Sequence, residues 1–111
     1  MNDKCLNMLG ICRKAGKLIA GTEKVKETIK SNKAFLVFAA DDISEKSVKE
    51  INFLIKKSNN DYLLKSCLLK KEVLILNYKK QEISHATGTL AGIFAITEKN
   101  FALEIIKYKE R

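Results

Sequence analysis

Residues 34–40, Ala-Phe-Leu-Val-Phe-Ala-Ala, are apolar without interruption, and this run limits the fold more than any other feature of the chain. A strand with one wet face alternates apolar and polar residues. A strand apolar at every position is covered on both sides. Seven residues is strand length, far short of the roughly 20 that a membrane helix needs. The chain therefore has to place layers on both faces of a sheet centred on this segment.

The flanking sequence supplies those layers. Cys5, Met8, Leu9 and Cys12 recur at helical spacing over residues 3–15, and Gly16 stops the pattern. Leu18-Ile19-Ala20 leaves room only for a short strand before Gly21. A second helix runs to about Ser31, with Val25, Thr28 and Ile29 inward and Lys24, Lys26, Glu27 and Lys30 outward. Asp41-Asp42 ends the central strand and is expected to cap the following helix. Ser44 or Ser47 offers a further cap there, and Ser47 with Glu50 fits a capping box. Val48, Ile51 and Ile55 form that helix's apolar stripe. Ser58-Asn59-Asn60-Asp61 signals a turn, and Tyr62, Leu63, Cys67 and Leu68 predict a short helix beyond it. Val73-Leu74-Ile75-Leu76 reads as another buried strand. A fourth helix near residues 79–88 turns Ile83 and Ala86 inward and ends at Gly88. Ile93-Phe94-Ala95-Ile96 is the last strand, and Phe101, Ile105, Ile106 and Tyr108 mark a closing helix. Strands alternating with helices predict an α/β chain: a three-layer α/β/α sandwich around a small, mixed, four-stranded sheet. Residues 1–111 are expected to form a single domain, because no repeat or linker divides them.

Charge narrows the partners. There are 21 Lys+Arg against 13 Asp+Glu, a net +8, which points to a polyanion. Residues 1–33 hold eight of the basic residues and three acids, a local +5. Apart from Arg13 and Arg111 the cations are lysines, which suit phosphate contact better than bidentate base reading. The N-terminal residues lack a signal-peptide pattern, and Cys5, Cys12 and Cys67 include no Cys-x-x-Cys pair, so a reduced, cytoplasmic setting is expected. Catalytic patterns are missing. His85 is the one histidine, and no cysteine stands at ligand spacing from it. The Gly88 to Gly92 spacing is not a dinucleotide fingerprint and does not follow a strand. The expectation is a non-enzyme with no cofactor, no bound metal and no membrane partner.

One segment suits an anion. From Arg13 to Val25 the chain packs Lys14, Lys17 and Lys24 around Gly16 and Gly21, with Lys26 just beyond. A glycine at a helix start lets a ligand come close to the backbone. The first N–H groups there are unpaired, and the helix dipole favours negative charge. Such a terminus is suited to a phosphate backbone.

In wording and order these segments resemble the kink-turn RNA-binding ribosomal-protein superfamily of the archaeal L-seven-Ae and L-thirty-e type, and its bacterial YlxQ-type branch in particular. Arg13-Lys14-Ala15-Gly16-Lys17-Leu18 with Gly21 is similar to that branch's helix-to-strand turn. Ile29-Lys30-Ser31-Asn32-Lys33-Ala34, continuing to Ala40-Asp41-Asp42, is similar to its second helix and central strand, and the likeness resumes over residues 73–96. The resemblance implies structured, kink-turn-like RNA held at two places, the start of the second helix and the loop before the last strand. Carried over, these are Gly21, Thr22, Glu23 and Lys24, with Lys14, Lys17 and Lys26 nearby, and Thr89, Gly92 and Ile93. Of the family's Gly-x-Asn-Glu-x-x-Lys pattern only Gly21 survives, and Glu27 stands where the lysine would be. The implied protein is a monomer associated with the ribosome or with its assembly proteins. A protein-interaction adaptor on the same fold, without RNA, is the alternative reading.

Overall fold

The computed structural model describes residues 3–57 and 73–109. The turn expected at Ser58-Asn59-Asn60-Asp61 and the short helix expected after it lie outside these residues. Nine elements follow in order: α1 Lys4–Lys14, β1 Leu18–Ala20, α2 Thr22–Lys30, β2 Leu36–Ala39, α3 Glu45–Lys57, β3 Leu74–Ile75, α4 Lys80–Thr87, β4 Ile93–Ile96 and α5 Lys99–Lys109.

The strands form one mixed sheet in the order β1-β4-β2-β3. β4 is antiparallel to both neighbours, pairing Ala20 with Phe94 on one side and Phe38 with Phe94 on the other. β3 runs parallel to β2. Helices α2 and α3 pack together on one face, while α1 packs against α4 and α5 on the other. The three-layer α/β/α arrangement is therefore as the sequence predicts. β2 is an inner strand with every residue buried. At its centre Phe38 and Phe94, partners in register, stack with ring centroids 5.1 Å apart and planes inclined by 13°.

β3 departs from expectation. Only Leu74 and Ile75 are in the strand, and both are half-buried, whereas the flanking Val73 and Leu76 are buried. It is the sheet's edge, and natural edges are kept short. The Val73 N–H leaves the ladder for the Asn52 carboxamide oxygen at 2.7 Å.

The capping scheme also differs. Asp41 and Asp42 do not cap α3. The Asp42 carboxylate accepts the Lys80 N–H at the start of α4 (3.0 Å), and Asp41 pairs with the Lys79 ammonium (3.0 Å). The reason is positional: parallel β2 and β3 end side by side, so the residues after β2 meet the helix after β3. Ser44 caps α3 by accepting the Ser47 N–H at 3.2 Å. Glu50 takes no part in a capping box, because α3 already begins at Glu45 and puts it a turn further in, where it pairs with Lys26 on α2 (3.1 Å).

Asp3 caps α1, on the side of the sheet opposite α2 and α3. One carboxylate oxygen accepts the Leu6 N–H (3.0 Å), and the other accepts the Tyr78 hydroxyl (2.7 Å). Burial pushes this carboxyl's pKa up, but these hydrogen bonds outweigh it and hold the value below an ordinary 3.8. The Cys5 and Cys12 thiols are buried, and burial raises them to about 11 and about 12, so both stay protonated and unreactive near neutrality. Among the described residues no three His, Cys, Asp or Glu side chains gather as metal ligands, and no helix is long and apolar enough to cross a membrane.

Phe38→Ala should cost about 3–5 kcal/mol in urea denaturation, since it empties half of a fully buried stack. Asp3 contributes stability that is complete above its unfolded value. That contribution is lost as the pH falls from about 4 through the lower folded value. Asp3→Asn should flatten this part of the acid-denaturation profile, and an unchanged profile would contradict the cap.

Candidate nucleic-acid interface

Strand direction builds the site. β1, β2 and β3 run the same way, and β4 runs against them. The helix following each of the first three strands therefore starts at one end of the sheet, the end where β4 enters. α2, α3 and α4 bring three positive dipole ends there. Open sheets commonly bind ligands in the crevice outside the carboxyl ends of their strands.

Gly21 joins the two halves of the edge. Its φ of 102° and ψ of 145° are values that L-residues rarely adopt, and nothing within 4 Å would meet an added Cβ. Conformation, not space, requires glycine here. In this geometry its N–H donates to the Ile93 carbonyl (3.0 Å), and its own carbonyl accepts the Val25 N–H (3.0 Å). The start of α2 is thus tied to the first residue of β4. Having no side chain, Gly21 cannot cap α2. The first-turn amides of α2 consequently face outward without the carboxylates that occupy the start of α4.

Beside this junction lies a mainly polar cleft of about 150 Å³, lined by Thr22, Ile43, Ser44, Ser47, Lys80, Gly92 and Ile93. At about 30 Å³ per water it has room for about five waters or one small planar group. Gly92 shapes its wall. A Cβ there would lie 2.5 Å from Ile43 Cγ2 and 3.2 Å from Lys80 Cε, so only glycine lets the backbone pass this close.

Of the residues expected from sequence, Thr22, Gly92 and Ile93 line the cleft and Gly21 adjoins it. Glu23 and Lys24 are exposed on the first turn of α2. Thr89 sits in the loop after α4, where its hydroxyl accepts the Arg13 Nε–H (2.9 Å) and ties the loop to the end of α1 beside Lys14. Lys26 is turned away toward α3. Its ammonium contacts Glu50 (3.1 Å) and Glu23 (3.8 Å), its side chain is only 22% exposed, and the Glu50 carboxylate raises its pKa. Lys17 is not brought to this edge. Its carbonyl accepts the Thr97 N–H at the opposite end of β1 (3.0 Å), about 13 Å from Gly21 at the usual rise of a strand.

Sequence reasoning missed Ile43, Ser44, Ser47 and Lys80, which line the cleft, and Leu90, which is 76% exposed in the loop. A signal for the first four was available: they begin the helices that follow β2 and β3. Recognising it required knowing that those strands run parallel to β1. Leu90 carries no periodic signal at all.

Three comparisons bear on this geometry. The family described as the ribosomal protein L7Ae/L30e/S12e/Gadd45 family matches residues 3–105. The RNA-binding protein YlxQ of Enterococcus faecium is 31% identical over 99 residues, covering 89% of this chain and 84% of its own. Among solved structures, a protein with unknown function from Bacillus halodurans C superposes with a TM-score of 0.79 at 17% identity, over 99% of this chain and 100% of the other. The Giardia lamblia 15.5kD RNA binding protein superposes with a TM-score of 0.58, also at 17% identity, over 99% and 91% of the two chains.

The two glycines should fail differently when replaced. Gly21→Ala should cost about 1–3 kcal/mol through backbone strain alone. Gly92→Ala should cost a similar amount through overpacking against Ile43, about 1–3 kcal/mol. In a double-mutant cycle measured by denaturation, Ile43→Ala should offset part of the Gly92→Ala loss and none of the Gly21→Ala loss. Equal coupling of Ile43 to both glycines would contradict these roles.

Proposed function

The chain belongs to the ribosomal protein L7Ae/L30e/S12e/Gadd45 family, and from that membership we propose that it is a non-catalytic RNA-binding protein recognising bent, kink-turn-like RNA. The observation that carries this reading is the hydrogen bond from the Gly21 N–H to the Ile93 carbonyl, which makes the uncapped start of α2 and the entry of β4 one surface. Two similar proteins, from Enterococcus faecium and Giardia lamblia, are RNA-binding proteins.

In this reading a phosphate sits on the first-turn amides of α2, with Lys24 exposed beside them and Lys80 across the cleft. An unstacked base enters the cleft between Ile43 and the Gly92-Ile93 backbone, and Leu90 packs against the neighbouring base. A continuous duplex offers no splayed base and cannot use the cleft. Glu23 and Glu27, exposed on α2, repel a phosphate backbone that approaches without the matching bend, so shape rather than charge selects the RNA. The lysines make affinity fall with salt. The protein acts as a cytoplasmic monomer on ribosomal or ribosome-associated RNA.

Gel-shift titration at equal salt tests the reading. A bent internal-loop RNA should bind at least tenfold more tightly than a continuous duplex. Equal affinities would reduce the interaction to generic electrostatics, and no binding to either RNA would favour the adaptor. Lys80→Glu should weaken the bent RNA and lower its salt slope by about one or two phosphate equivalents. Glu27→Lys should tighten binding several-fold, whereas Glu104→Lys on α5, on the other side of the sheet, should not. Equal gains from the two reversals would remove α2 from the interface.

A further inference from the structure

A second depression opens between α2 and α3. It has a cavity volume of about 410 Å³ and is lined by Lys26, Lys30, Lys49, Glu50, Phe53 and Leu54. It lies further along the same two helices as the cleft, separated from it by the Lys26–Glu50 ion pair. Thr22 on α2 and Ser47 on α3 line the cleft, Lys26 and Glu50 meet about one helical turn further on, and Lys30 and Phe53 lie about one turn beyond. From Thr22 to Lys30 the path is about 12 Å at the helical rise.

Its chemistry differs from that of the cleft. The floor is mostly apolar, formed by Leu54 and by Phe53, which is 62% exposed. Glu50, the one acid among the described residues that line it, is already engaged by Lys26 at 3.1 Å. Lys30 and Lys49 have no ion-pair partner among the described residues, so the groove keeps net positive charge. Lys57 holds its ammonium 5.7 Å from the centroid of the Phe53 ring. An exposed aromatic ring beside Lys30 and Lys49, about two helical turns from the cleft along α2, combines the stacking platform and the backbone neutralisation that bind single-stranded nucleic acid.

We infer that the α2/α3 groove holds a single-stranded flank of the bound RNA, one base stacked on Phe53 and the adjoining phosphates on Lys30 and Lys49. This rests on the RNA-binding reading above and adds a second contact to it. Its place on the same two helices, about 12 Å from the cleft and within reach of a strand leaving it, favours RNA over the other charge-complementary occupant, an acidic peptide with an apolar anchor. Flanks of different sequence should bind alike, because every base has a face that can stack.

The test uses the full chain and two RNAs: a bent internal-loop core, and the same core with a short oligouridine flank on one strand end or the other. One of the flanks should raise affinity about tenfold over the core. Phe53→Ala should erase that gain and leave core affinity unchanged, and Lys30→Gln with Lys49→Gln should lower the flanked RNA's affinity by more than the core's. Phe53→Tyr should retain the gain. Since Phe53 is largely exposed, its replacement should leave urea stability nearly unchanged, which separates lost stacking from lost fold. If neither flank improves on the core while the core binds, the inference is overturned and the RNA-binding reading stands. If neither RNA binds, both fall. A glutamate-rich peptide carrying one phenylalanine that binds wild type and not Phe53→Ala, with no gain from either flank, would assign the groove to a protein segment and overturn the inference.

Discussion

The backbone pairing of one reversed strand governs the rest of the molecule. β4 lies between β1 and β2 and is antiparallel to both, so its first residue arrives where theirs end. Three helices must then start around that point, and the loop from α4 has to return to it. The Gly21 N–H to Ile93 carbonyl bond is the last bond of this scheme, just beyond the β1–β4 ladder. A side chain at Gly21 would oppose the φ of 102° on which the bond depends. The core serves the same end: the Phe38–Phe94 stack pins β4 against β2 in the register that brings Ile93 to its place.

Charge is used locally, and the net +8 describes the site poorly. Several charged groups near the edge are already committed: Lys26 to Glu50 and Glu23, Lys79 to Asp41, and the Asp42 carboxylate to the Lys80 amide. These contacts link α2 to α3 and the end of β2 to the start of α4, and α3 and α4 receive side-chain caps. The start of α2 does not. In the RNA-binding reading we propose, its amides, with exposed Lys24 and with Lys80 on the cleft, receive a phosphate. In that reading exposed Glu23 and Glu27 oppose loose association and favour a partner whose shape reaches the cleft.

Much of this was legible in the residues. The unbroken apolar run at 34–40 announced an inner strand, helical spacing located α1 to α5, and Gly21 marked a helix start that receives no side-chain cap. What failed did so for a common reason: local pattern carries no strand order. Asp41-Asp42 looked like the cap of the next helix and instead serves α4, because parallel β2 and β3 end together. Residues 73–76 looked like a full inner strand and form a two-residue edge. Lys17 looked close to Gly21 in sequence but stands at the other end of β1. Ile43, Ser47 and Lys80 reach the cleft only through long-range topology. Lys26 sits on the helix face expected to be free and was captured by Glu50, a choice that depends on how α2 and α3 pack.

Backbone amide NMR of the protein, titrated in parallel with a bent internal-loop RNA and with a continuous duplex of the same length, tests the central claim most directly. If the α2 start and the β4 entry form one RNA-binding surface, the amides of Thr22, Glu23, Lys24, Leu90 and Gly92 should shift or broaden together and early with the bent RNA. Those of α5 should stay in place, and the duplex should perturb the edge far less. Shifts concentrated on α1 and α5, or identical responses to the two RNAs, would contradict the account.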